Sequence, residues 1–322
     1  MFISILLIAL GFVLLIKGAD YLVDGASNVA KKFHIPEIII GLTIISIGTS
    51  MPELFVSITS AIDGYPDMAM GNVIGSNIVN MLFILGLSAI IKSIPFKKET
   101  RLIEIPICFF VSVIFFIICV IGQDISRIDA GILIFLFIAF IIYTIVMAKK
   151  GEEFDKEENS EKSQEEEKNR GKLSTLKDVC AIIIGIVALK FGGDLAVDNA
   201  VNVATILGLN EKIISVTILA IGTSLPELVT SVSAAAKGKS DIAIGNVLGS
   251  NIFNMLLIIG TSAAIKPIVY NMSYNKDMII LLVGTLVLAL FPVIPPKNKM
   301  SRMNGVVYVL MYLGYMASLF FV

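Results

Sequence analysis

Apolar runs of about twenty residues follow one another along nearly the whole chain, separated by short polar stretches. A helix of that length crosses roughly 30 Å of hydrocarbon. The pattern predicts ten spans, at approximately 2–24, 36–62, 67–91, 102–122, 128–148, 176–199, 212–236, 241–265, 277–295 and 303–322. The first run lacks a basic leader and a small-residue cleavage site, so it is expected to be a retained span. One interval breaks the rhythm. Residues 149–177 are polar and without hydrophobic periodicity, with nine acids against five bases over 151–172. They lack the glycine and ligand pattern of a calcium loop and are expected to be a linker.

The pattern repeats at an offset of 174 residues. The stretch GLTIISIGTSMPELFVSITSA at 41–61 returns as SVTILAIGTSLPELVTSVSAA at 215–235, identical at 11 of 21 positions. GNVIGSNIVNMLFILG at 71–86 returns as GNVLGSNIFNMLLIIG at 245–260, identical at 12 of 16. In the first spans, Asp20 and Asp24 align with Asp194 and Asp198. Five spans per half is an odd number, so equivalent helices must cross in opposite directions. The expected fold is therefore an all-α polytopic membrane protein of ten transmembrane helices. It forms two inverted five-helix repeats, 1–148 and 178–322, joined by the 149–177 linker. Such repeats place their sites at the repeat interface near the midplane.

Composition adds little except through where the charges sit. The 322 residues are 56% hydrophobic with a mean hydropathy of +0.90 and a net charge of −1. If the loop after the first span is cytoplasmic, 19 of the 25 Lys and Arg fall inside. That bias puts both termini outside and the linker in the cytoplasm. The three cysteines, Cys108, Cys119 and Cys180, lack metal-ligand spacing and are expected to be buried apolar residues. His34 is the single histidine and is expected at the interface, which leaves no histidine-based catalytic or metal cluster. No nucleophile has a plausible base, so enzymatic chemistry is not expected, and no cofactor or nucleic-acid partner is implied.

The candidate chemistry lies in the repeats. Glu53 and Glu227 each stand amid about twenty otherwise uncharged residues. A carboxylate at that depth costs at least about 2.5 kcal/mol, which marks it as functional. One residue before each lies a proline, Pro52 or Pro226, which frees the carbonyl four residues back at Gly48 or Gly222. Thr49, Ser50, Thr223 and Ser224 supply hydroxyls on the same turns. Packing glue alone would explain one such copy, but not two that each add a glutamate. In the second motif, Asn72, Ser76 and Asn80 fall on one helical stripe, as do Asn246, Ser250 and Asn254. Gly71, Gly75, Gly245 and Gly249 have the spacing of close helix packing. For Asn72 and Asn246 both interhelical bonding and ligation are open. The donors are hard oxygens throughout, which suits Na⁺ or Ca²⁺ and argues against Zn²⁺ or Cu⁺.

The paired GTSxPE and GNxxGSN motifs resemble the α-repeats of the sodium/calcium exchangers, within the cation/calcium antiporters. The resemblance covers the whole chain. It implies antiport of Na⁺ for Ca²⁺ across the cell membrane by alternating access, in the lipid bilayer, with one chain sufficient. It further implies that Glu53 and Glu227 bind Ca²⁺ with Thr49 and Thr223. Na⁺ would use Ser50, Ser224, Ser76, Ser250 and the carbonyls of Ser46 and Ala220, with Asn80 and Asn254 completing the centre. The chain departs from the family where some members carry an aspartate and it has the neutral Asn80 and Asn254. That leaves the number of Na⁺ ions and any proton coupling open. The short linker implies that the large calcium-sensing domains of eukaryotic members are absent. Glu227 stands where potassium-dependent relatives tend to have aspartate, which disfavours K⁺ cotransport. Alternatives are an H⁺/Ca²⁺ or other divalent-cation antiporter and, from another class, a cation channel.

Overall fold

The computed structural model describes residues 1–158, 172–207, 222–295 and 297–320. Nearly all are helical. The helices are α1 (Phe2–Lys32), α2 (Glu37–Thr49), α3 (Met51–Ile62), α4 (Met68–Ile91), α5 (Thr100–Gly122) and α6 (Arg127–Glu158). The second half adds α7 (Lys172–Ile206), α8 (Leu225–Ala236), α9 (Ser240–Ile265), α10 (Asn275–Leu290) and α11 (Arg302–Phe320). Among the described residues seven helices are long and apolar enough to cross a membrane, eight if the bent pair α2/α3 is one span. Outward apolar side chains such as Phe2, Leu10, Phe135 and Phe191 are exposed, as lipid-facing residues must be.

Helix continues past the expected span limits at 148 and 176, into both ends of the linker, because its Glu and Lys are good helix formers. The middle of the linker, 159–171, and the segment 208–221 lie outside the described residues.

Burial grades the helices by role. The apolar window of α9 is 94% buried and that of α4 is 72% buried, against 22–33% for the windows of α1, α5, α6, α7 and α10. The two GNxxGSN helices thus form the centre and these five face outward. Two short antiparallel ribbons tie the halves together. Ile94–Pro95 (β1) pairs with Lys299–Met300 (β4), and Asp124–Ile125 (β2) pairs with Ile268–Val269 (β3).

α1 and α7 form a closely packed pair. A Cβ at Gly11 would lie 2.8 Å from Gly192 O and Ala196 N, and one at Gly18 would lie 2.9 Å from Gly185 O. Gly185 and Gly192 return the same approach against Gly18 O and Gly11 O, both at 2.8 Å. Only glycine at these positions lets the backbones meet. Cys108 and Cys119 are buried as expected, but Cys180 is exposed, on the side of α7 turned away from α1.

Candidate cation site

The residue before each proline-led helix start has the same non-helical backbone in both GTSxPE motifs. Ser50 has φ −85° and ψ 10°, and Ser224 has φ −88° and ψ 9°. Around the break α2 and α3 bend by 49°. Pro52 and Pro226 fall in the first turn of the following helix, where a missing N–H costs nothing. Glu53 and Glu227 share that first turn, at the positive end of the helix dipole.

The broken segments bring the two glutamates together. Glu53 is 1% exposed and Glu227 is fully buried. Ser50 Oγ, from the first half, donates to Glu227 Oε1 at 2.7 Å. Ser224 Oγ, from the second half, donates to Glu53 Oε1 at 3.4 Å, as does Ser76 Oγ at 3.4 Å. The Thr49 and Ser250 hydroxyls stand beside Glu227, Ser250 without a well-formed bond. Among the described residues no lysine or arginine pairs with either carboxylate.

Other oxygens around the pair lack partners. Glu53 Oε2, Glu227 Oε2, Asn254 Oδ1, Thr230 Oγ1, Ser250 Oγ and both amide atoms of Asn80 are buried and unbonded. A buried polar atom left unmade costs about 1–3 kcal/mol. Several on neighbouring turns describe a cradle for something positive. Two carboxylates with hydroxyl and amide oxygens fit a hard cation such as Na⁺ or Ca²⁺.

Asn80 and Asn254 lie in π-helical turns, Val79–Ile84 and Asn254–Ile258. A third π-turn, Gly41–Ile45, precedes the first break. Such turns recur at functional sites because the wider turn re-aims side chains. Asn72 and Ser76 both bond α3, whereas Asn80, the last member of the expected stripe, falls in the π-turn and is left unbonded. Asn72 Nδ2 donates to Ser57 Oγ at 3.1 Å and to Glu53 O at 3.3 Å, so it ties α4 to α3. Asn246 does the same between α9 and α8, donating to Ser231 Oγ at 2.9 Å, and accepts from Thr49 Oγ1 at 3.1 Å.

Some expected ligands are differently placed. The Ser46 carbonyl accepts from Ser50 N at 3.0 Å and from Thr49 Oγ1 at 3.3 Å. Thr223 is only half-buried and lines a crevice with Pro52, Val56, Gly222 and Pro226. Ala220 lies outside the described residues. Gly48 and Gly222 pack closely against α7. A Cβ there would meet Ile186 at 2.7 Å and Val197 at 2.6 Å. The sequence reading missed Asn77 and Asn251, whose side chains join α4 to α9. Their identity in both GNxxGSN copies was the available signal.

The family profile described as sodium/calcium exchanger protein matches residues 3–146 and 177–321. Sodium/calcium exchanger MaX1 of Methanosarcina acetivorans is 33% identical over 351 residues, covering 99% of both chains. Inner membrane protein YrbG of Escherichia coli is 34% identical over 293 residues, covering 90% of this chain and 89% of that one. A solved structure of the sodium-calcium exchanger NCX_Mj, soaked with Na⁺ and Ca²⁺, superposes with a TM-score of 0.84 at 31% identity, covering 98% of each chain. With the paired motifs, the joined glutamates and a profile match on both sides of the linker, the chain belongs to the sodium/calcium exchanger protein family.

Proposed function

We propose that the protein is a secondary antiporter that exchanges Na⁺ for Ca²⁺ by alternating access at one site between Glu53 and Glu227. The supporting observation is the pair of buried carboxylates, each bonded to a serine of the other half, with no basic partner among the described residues. In oil such a pair needs positive charge, and either one Ca²⁺ or several Na⁺ would supply it.

In this reading Glu53 and Glu227 bind Ca²⁺ with Thr49 and Thr223. Ser50, Ser224, Ser76, Ser250 and the carbonyls of Ser46 and Ala220 serve Na⁺, and Asn80 and Asn254 close the centre. The Ser46 carbonyl must exchange its helical partners for the ion. The chain spans the cell membrane ten times as two inverted repeats, 1–148 and 178–322. Both termini lie outside and the 149–177 linker in the cytoplasm.

Two ionised glutamates carry −2, so the Ca²⁺-loaded site is neutral and a site with three Na⁺ is +1. A three-for-one exchange is therefore electrogenic. One charge crossing 100 mV is worth about 2.3 kcal/mol, which drives Ca²⁺ out of a negative interior. The test is Ca²⁺ flux into proteoliposomes with and without an outward Na⁺ gradient, at clamped voltage. Uptake that requires the gradient and responds to voltage is expected. Uptake driven by a pH gradient alone would indicate H⁺ exchange, and flux without any counter-ion gradient would indicate a channel.

A further inference from the structure

Asn77 and Asn251, the last residues of the two GNxxGSN motifs, have no part in the cation site described above. Both are fully buried. They clasp each other across the α4–α9 contact. Asn77 Nδ2 donates to Asn251 O at 3.3 Å, and Asn251 Nδ2 donates to Asn77 O at 3.2 Å. A backbone carbonyl only accepts, so each bond decides which end of the amide is nitrogen. Asn77 Oδ1 is thereby left as an acceptor, and it takes the Asn254 Nδ2 hydrogen bond at 2.9 Å. The chain of consequence ends at Asn254. With its nitrogen held by Asn77, its Oδ1 is the end left buried and unbonded.

The other half lacks this last link. Asn251 Oδ1 is unbonded, and so are both amide atoms of Asn80. The π-turn carrying Asn80 starts one residue before it, at Val79, whereas the other starts on Asn254 itself. Of the two central amides one is oriented and the other is not.

We propose that Asn77 is a positioning residue for the cation site, holding Asn254 so that oxygen and not –NH₂ meets the ion. An amide turned the other way would set hydrogens of positive partial charge against a cation. The inference rests on Asn254 being a ligand, as proposed above.

The experiment is equilibrium Ca²⁺ binding, without Na⁺, to the purified full-length chain carrying Asn77→Ala, Asn254→Ala, Asn254→Asp or Asn77→Ala with Asn254→Asp. Unfolding midpoints are recorded alongside, and Asn77→Ser replaces Asn77→Ala if that variant is unstable. Loss of an outer partner of a metal ligand typically weakens affinity by about 10–100-fold, so Asn77→Ala is expected to raise the Ca²⁺ Kd at least about tenfold. Aspartate at 254 offers an oxygen at either end, so its orientation no longer matters. Adding Asn77→Ala to Asn254→Asp is expected to change the Kd less than about twofold, a non-additivity that marks direct coupling. Equal losses in both backgrounds would mean that Asn77 only supports the fold, and an unchanged Kd for Asn77→Ala would also overturn the proposal. If Asn254→Ala itself leaves the Kd unchanged, Asn254 is not a ligand and the underlying reading of the site fails instead.

Discussion

Ser50 Oγ stands 2.7 Å from Glu227 Oε1, while the repeat-related Ser224 Oγ stands 3.4 Å from Glu53 Oε1. The first is a full charge-assisted bond and the second is marginal. The duplicated sequence therefore holds its two carboxylates unequally in this conformation. A hydrogen bond to a charged group contributes about 1.5–3 kcal/mol. We predict that Ser50→Ala shifts the Na⁺ and Ca²⁺ concentration dependence of exchange by roughly tenfold or more, and that Ser224→Ala shifts it less. Titration of exchange rate against each ion checks this, and the reverse order would contradict it.

The glutamates themselves give a sharper prediction. Glutamine keeps the shape of glutamate but removes the charge that attracts the cation. Glu53→Gln or Glu227→Gln is expected to reduce Ca²⁺ transport at least about a hundredfold. It also relieves the cost of a buried carboxylate, so the ion-free protein should melt no lower than the wild type. Flux and melting measured on one preparation separate the two effects. Retained Ca²⁺ uptake in both variants would reject the assignment.

Much of this site was legible because duplication supplied an internal control. A glutamate among apolar residues is expensive once, and its recurrence at a fixed offset leaves little room but function. The bend between α2 and α3 was legible too, since Pro52 dictates it locally. What could not be read were features set by contacts between the halves. The stripe of Asn72, Ser76 and Asn80 assumes an α-helical period, and the π-turn at Val79–Ile84 breaks it at its last member. Gly48 and Gly222 entered only through the carbonyls their prolines free, yet they also give room to Ile186 and Val197 on a distant segment. Asn77 and Asn251 bond backbone carbonyls of the opposite half, partners that no local pattern reveals.

Asn254→Asp adds a third acid to the centre. The predicted effect falls on Na⁺ and proton dependence more than on recognition of Ca²⁺. It should appear as a changed Na⁺ Hill slope or a shifted pH profile of exchange. If both match the wild type, Asn254 does not set the coupling.

The packing of α9 on α2 gives a stability prediction. A Cβ at Gly249 would lie 2.6 Å from Leu42 O and 2.6 Å from Ser46 Oγ, and one at Gly245 would lie 2.7 Å from Ile38 O. Backbone cannot yield as a flexible side chain does, so Gly249→Ala should cost about 1–3 kcal/mol as overpacking. Gly131, with nothing within 4 Å among the described residues, is the control, and Gly131→Ala should be neutral or slightly stabilising. Melting of the two variants decides it, and equal midpoints would mean that α9 and α2 part more easily than this contact implies.

The last prediction concerns a fastening found, among the described residues, at one end of the α1–α7 pair. Lys237 Nζ lies 2.8 Å from Asp20 Oδ1 and 2.9 Å from Asp24 Oδ2, and Lys239 Nζ lies 2.7 Å from Asp24 Oδ1. These bonds tie α1 to the turn between α8 and α9, on the side that the orientation proposed above makes cytoplasmic. In the first half the positions of Lys237 and Lys239 are taken by Asp63 and Tyr65, so no matching cations exist there. Asp194 bonds Lys190 on its own helix at 2.5 Å. Asp194 and Asp198 instead line the crevice of about 130 Å³ that reaches Thr223 and both prolines. Asp24 is half exposed, so solvent screens the network and its worth is about 1 kcal/mol. Removing it with Lys237→Ala and Lys239→Ala should raise the share of molecules open to the cytoplasm about fivefold. Apparent affinity scales with the competent fraction. Ca²⁺ affinity measured at the cytoplasmic face of inside-out vesicles should therefore rise by a similar factor, and high salt should shrink the difference between variant and wild type. An unchanged cytoplasmic affinity would show that the lysines decorate this end of α1 without holding it shut.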